Sequence, residues 1–255
     1  MNFFFGIRSK FINSEIKIPK FQNSGKFNQN IKVFEAFPLN NKWNINKTDC
    51  DENKDFYFIS NEIENNKIFF LAHEHEVAQN KIKLFDELKD FNNFTDTAPA
   101  FRANLKLFLD NGGISSYQSE YPFEMTKRRG NILSPISILL NKNAEKNIIF
   151  FKNIFYKPIN EKTYLYFINF QQKKIVKKVE ILSNYLNEII VDKEFLNNDI
   201  YLFTENCLGI PMYLSIKNFH LSFEHTHPPH HYILSQNRYK KINILKNEFK
   251  KIFIN

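Results

Sequence analysis

Five of the chain's seven histidines, His220, His225, His227, His230 and His231, fall inside one phrase, FHLSFEHTHPPHHYI. Successive side chains of a strand point to opposite faces. Read that way, Phe219, Leu221, Phe223, His225 and His227 share one face, and His220, Ser222, Glu224 and Thr226 share the other. An apolar row ending in two imidazoles is what a metal site at the rim of a β-barrel or sandwich requires. His73 and His75 end a second such row, after Phe69 and Leu71, if a strand runs on through LAHEHE. Imidazole suits Zn and Fe, and a nearby carboxylate completes such a set. A three-ligand site with one open position activates water or oxygen. The expectation is therefore a divalent transition metal, Zn or Fe, held by His225, His227, His73 and His75, with Glu120 as the catalytic carboxylate. A simpler alternative stands beside it. HEHE also fits the first turn of a helix, where acids favour the N-terminus, and HPPHH fits a rigid, solvated turn.

A second group lies in SSYQSEYPFEMTKRR. Ser115, Tyr117, Ser119 and Tyr121 share one face of a strand; Ser116, Gln118 and Glu120 share the other. Arg102 and Asn104, on the preceding strand, have the parity of Gln118 and Glu120. Hydroxyl, amide and aromatic groups suit a sugar-like ligand, and Arg102 or Arg128 can fork onto a phosphate or carboxylate. The expected substrate-binding set is Arg102, Asn104, Tyr117, Gln118 and Arg128. The plainer reading is the solvent face of a hairpin. His-x-His after an apolar strand resembles, in geometry, the opening of the cupin metal motif, but the cupin glycines are absent. No GxGxxG, P-loop or GxSxG occurs. Cys207 in ENCLGIPM reads as a small buried residue, with no positive charge in the adjoining sequence to make it a nucleophile.

Strands must position these groups. FRANLKLFL (101–109) alternates, with Phe101, Ala103, Leu105, Leu107 and Leu109 inward, and Asp-Asn-Gly-Gly at 110–113 is a hairpin signal leading into ISSYQSEYPF. Short strands are expected at 31–37 and 55–60, a buried one at 67–72, and others at 131–139, 147–155, 163–170, 174–182, 187–191, 199–204, 211–217 and 219–227. Their spacing suits an antiparallel sandwich or barrel. Val77, Ile82, Phe85 and Leu88 predict one internal helix over 77–91. Tyr239, Ile242, Leu245, Phe249 and Ile252 predict an amphipathic C-terminal helix over 237–253. Residues 1–66 are weakly patterned and expected to pack on the core; 67–255 are expected to form a single β-rich domain.

At 255 residues, 43% hydrophobic and 16% aromatic, the chain is too apolar for disorder. Its charge of +8 is carried by scattered lysines amid a surplus of Asn, Ile and Phe. The clustering a nucleic-acid footprint needs is missing, so no nucleic-acid partner is expected. Two distant cysteines make no disulfide framework. No stretch approaches the ~20 apolar residues of a membrane span, and a cytoplasmic location is the default. Of the 20 Gly, Pro and Arg residues, nine fall in 98–137 and four in 204–232, the two segments just singled out. Together these point to a metal-dependent enzyme acting on a small polar, sugar-like or anionic substrate. The alternative is a non-catalytic β-sandwich module binding carbohydrate or a protein partner.

Overall fold

The structure is a computed structural model that describes residues 2–20, 31–60, 63–74, 84–85, 88, 103–127, 129–196, 199–225, 244, 246–248 and 250–252. The first strands are β1 (Asn2–Phe3), β2 (Asn13–Pro19), β3 (Ile31–Leu39), β4 (Lys42–Lys47), β5 (Asp51–Glu52), β6 (Phe56–Ile59), β7 (Ile68–His73) and β8 (Leu84–Phe85). The middle of the chain supplies β9 (Ala103–Leu109), β10 (Gly112–Ser119), β11 (Tyr121–Pro122), a one-turn helix α1 (Phe123–Thr126) and β12 (Leu133–Pro135). Then follow β13 (Lys146–Lys152), β14 (Lys162–Asn169), β15 (Lys174–Leu182), β16 (Leu186–Ile190), β17 (Ile200–Thr204), β18 (Ile210–Lys217) and β19 (His220–His225). A short 3-10 turn at Lys193–Leu196 joins β16 to β17.

Every pairing among these strands is antiparallel. The larger sheets run β10-β9-β2-β6-β5, β7-β3-β4-β8, β16-β13-β18-β19 and β12-β17-β14-β15. The third of these lies between two cores. Ile148 and Phe150 of β13, with Met212 and Leu214 of β18, join the core built with the N-terminal sheets. Ile149 and Phe151, with Tyr213, join the core shared with the β14 sheet, among Leu165, Phe167 and Leu202. A sheet covered on both faces needs apolar side chains at consecutive positions, and the run Ile148, Ile149, Phe150, Phe151 supplies them, each fully buried.

The mainly antiparallel β class holds; the helices differ from expectation. In 77–91, Leu84 and Phe85 form β8, opposite Asn44 and Trp43, and Leu88 takes a 3-10 conformation. Pairing on a sheet edge there outweighs the local spacing of apolar residues. The rest of that span lies outside the described residues. In 237–253, Ile244, Lys246, Asn247, Glu248, Lys250 and Lys251 have helical backbone. Ile252 packs against the small cluster of Ile168 and Phe203. No helix among the described residues is long and apolar enough to cross a membrane.

Candidate functional site

The hairpin of β9 and β10 carries three of the expected binding residues, Asn104, Tyr117 and Gln118. Its tip closes on glycine for a steric reason. Gly113 has φ +25°, and a Cβ there would lie 2.6 Å from the Phe219 carbonyl oxygen. The tip therefore rests against the start of β19, and the two strands run on side by side.

His225 ends β19, opposite Met212 of β18. Its ring stands edge-to-face on Tyr117 of β10, centroids 4.2 Å apart at 79°. Phe223 meets the same Tyr117 ring at 5.7 Å. Tyr117 is buried, and burial, reinforced by the charge of nearby Glu120, drives its hydroxyl well above the usual tyrosine range. His225 and Phe223 thus both pack on one buried tyrosine. His73 ends β7, opposite Ile31, and is half-buried. The adjoining Glu74 is bound to Lys47 at 2.6 Å, which holds its carboxyl below the usual range. His75, His227, Arg102 and Arg128 lie outside the described residues. Among the described residues, no three His, Cys, Asp or Glu side chains converge as a metal set.

The hairpin's polar groups divide between two faces. Tyr117, Ser119 and Tyr121 turn inward with Ala103, Leu105 and Leu107. Hydroxyls survive there because they close local bonds: Ser119 Oγ donates to the Phe5 carbonyl at 2.5 Å and accepts the Phe5 N–H at 2.9 Å. Asn104 and Gln118 turn outward and sit directly opposite each other.

That outward face continues across the sheet. Register aligns Gln118, Asn104, Lys17, Phe58 and Asp51 in one row, and Ser116, Lys106 and Glu15 in another. Ile114, Phe108 and Asn13 form a third. None of these side chains is buried. Lys17 Nζ lies 3.9 Å from the Phe56 ring centre, and Lys106 Nζ lies 4.9 Å from that of Phe108. The strand alternation NSEIKIP of β2 carried this signal, with Ile16 and Ile18 inward and Glu15 and Lys17 outward.

A separate cleft of about 120 Å³ opens past the end of β13, lined by Arg129, Asn153, Phe155, Glu161, Glu205 and Cys207 among others. Arg129 lies over the Phe155 ring at 4.4 Å and binds Glu161 at 3.0 Å. Asn153 is only 6% exposed. Its Nδ2 donates to the Leu208 carbonyl, while its buried Oδ1 has no hydrogen-bond partner. Leaving such an acceptor unmatched costs about 1–3 kcal/mol. Burial pushes the Cys207 thiol up to about 12, and the opposing pull of Arg129 is too small to reverse this. The arginine contact, unseen in the linear sequence, leaves Cys207 a neutral, buried thiol as expected. Arg129 itself was visible only as one of five arginines, next to a glycine.

No family model matches the chain, and no curated protein or solved structure matches it.

Proposed function

We propose that the protein is a non-catalytic binding module that presents the outer face of the β10-β9-β2-β6-β5 sheet to a carbohydrate chain. The row Gln118, Asn104, Lys17, Phe58 carries this reading. Sugar rings offer apolar C–H faces to aromatic side chains, and their hydroxyls both donate to and accept from amides. Phe56, Phe58 and Phe108 supply half-exposed rings; Asn104, Gln118 and Ser116 supply the polar partners. Charge argues against a phosphate backbone on this face. Lys17 and Lys106 are balanced by Glu15 and Asp51, so there is no net pull on polyanions. The test is a glycan array followed by titration of the best binder. Binding that falls about tenfold in Phe58→Ala and in Asn104→Ala supports the module. Silence across the array, or stronger, salt-sensitive binding of a single-stranded oligonucleotide, defeats it.

His225 favours a second reading, a metal-dependent enzyme acting on a small polar or anionic substrate. Its ring is held by Tyr117 at a strand end, the Tyr117 hydroxyl feels the charge of Glu120, and His227 follows two residues on in sequence. Zn or Fe would bind His225 and His227, with Glu120 or His73 and His75 completing the set. Elemental analysis of protein purified without a His tag separates the two readings. Stoichiometric metal lost in His225→Ala, with a melting temperature that falls on chelation, supports the enzyme; metal-free protein of unchanged stability rules it out.

A further inference from the structure

The three most exposed large apolar side chains among the described residues are Ile138 at 77%, Ile114 at 68% and Phe219 at 62%. They are far apart in sequence and lie at one end of the fold. Phe219, on the turn joining β18 to β19, rests against Gly112 and Gly113 at the tip of the β9–β10 hairpin, and Ile114 is the next residue. Ile138 is on the turn that follows β12. The segment after it is tied to β18 and its turn by three hydrogen bonds. Asn141 N–H donates to Ser215 Oγ at 2.9 Å, Glu145 N–H to the Ile216 carbonyl at 2.9 Å, and Asn218 N–H to Glu145 Oε1 at 3.3 Å. Single exposed apolar residues are ordinary on a surface; three on turns that meet at one end mark a place of contact.

Cations accompany them. Lys142 and Lys217 are exposed on the same turns, and Lys146 and Lys10 lie over the half-exposed Phe11 ring at 3.5 and 5.0 Å. Phe11 comes two residues before Asn13, which pairs with Phe108 of the same hairpin. None of these four lysines is ion-paired among the described residues. Two carboxylates oppose them: Asp110, which accepts from Asn13 Nδ2 at 2.5 Å, and Glu145. The balance at this end is positive, like the +8 of the whole chain. Asn111, Gly112, Gly113, Asn141, Asn143 and Asn218 separate the apolar side chains. They therefore make three points, not the continuous apolar centre that a protein interface needs. A bilayer accepts such points singly, at the boundary of headgroup and acyl chain, while lysines meet anionic headgroups.

We infer that this end of the molecule docks on the surface of an anionic lipid bilayer, with Ile114, Ile138 and Phe219 entering the interface and Lys142, Lys146 and Lys217 on the headgroups. The surface is separate from the row of Gln118 and Asn104, which lies at the opposite end of the β9–β10 hairpin from Gly112.

Flotation of the full chain with vesicles tests this, using phosphatidylcholine alone and an equimolar mixture with phosphatidylserine. The protein should bind the anionic vesicles, bind the neutral ones at least about tenfold more weakly, and come off as salt rises. Two paired variants probe the two forces: Ile114→Ser with Phe219→Ser, and Lys142→Gln with Lys217→Gln. All four side chains are exposed, so both proteins should keep the native circular dichroism spectrum, and each should lose about tenfold or more in binding. Either pair decides if the other fails to fold. In Phe219→Trp, vesicles brominated along their acyl chains should quench the new fluorescence and spare the fully buried Trp43. No binding to anionic vesicles overturns the assignment, as does binding that the variants leave unchanged, or a Phe219→Trp emission that the brominated chains do not touch. A dimer that sediments without lipid and dissolves in Ile114→Ser with Phe219→Ser would give this end to a second copy of the chain instead.

Discussion

Lys152 is fully buried on β13, and its Nζ reaches only backbone carbonyls, Asn65 at 2.9 Å and Lys67 at 3.2 Å. A neutral amine has two N–H donors and meets both acceptors. Burial lowers its pKa from the ordinary 10.5 to about 7. The sign of the consequence is fixed. The native state sheds the proton near 7, while the unfolded chain holds it until near 10.5. Between those values the unfolded state binds more protons, so stability climbs as pH rises and is lost as pH falls through 7. Wild type should gain about 2 kcal/mol relative to Lys152→Met between pH 7 and pH 9 in urea titrations; a flat difference would show that the amine keeps its charge in the fold. The same scale shows what sequence could not settle. Parity placed Tyr117 and Ser119 together, but not inside, because a hydroxyl looks polar until its bonds, such as Ser119 to Phe5, are seen to close within the core.

At the scale of elements, alternation and turn chemistry carried far. The Asp-Asn-Gly-Gly turn and the inward row Ala103, Leu105, Leu107 were legible because a glycine turn and a period-two pattern are local properties. The helix over 77–91 failed at Leu84 and Phe85 because pairing with β4 is not local. Gly113 turns this into a measurement. An alanine there combines positive φ with a Cβ pressed on the Phe219 carbonyl, which is backbone and cannot swing away. Gly113→Ala should cost about 2 kcal/mol. In Gly130→Ala the close neighbour is the Leu208 side chain, which can rotate, so the cost should be smaller. Equal losses would mean the hairpin tip does not rest where the backbone places it. A second rivet joins β3 to the start of β7, where Glu35 and Lys67, each 9% exposed, meet at 3.0 Å. Lys67→Met should cost about 3–5 kcal/mol by stranding a buried carboxylate, and adding Glu35→Leu should recover most of it. Urea midpoints of the single and double variants check this, and a double variant no better than the single would show that the ion pair is not what Lys67 provides.

At the scale of the whole molecule, strand order was not legible. β2, at residues 13–19, lies between β6 and β9, some ninety positions away from the latter in sequence. Periodicity names a strand's buried face but not its neighbours, and such long closures are set by the packed core. The central sheet then poses a question about cooperativity. Trp43 is fully buried on the N-terminal side, where its Nε1 donates to the Tyr156 carbonyl at 2.9 Å. Phe151 points the other way, into the core shared with the β14 sheet. If β13 couples the two cores into one folding unit, a cavity on one side must be felt on the other. Phe151→Ala removes a fully buried ring and should cost about 3–5 kcal/mol. Trp43 reports from across the sheet, so its fluorescence midpoint in urea should fall together with the far-ultraviolet circular dichroism midpoint. A Trp43 transition that stays in place while the circular dichroism splits into two steps would instead divide the chain into two independent units, with the boundary running through the central sheet.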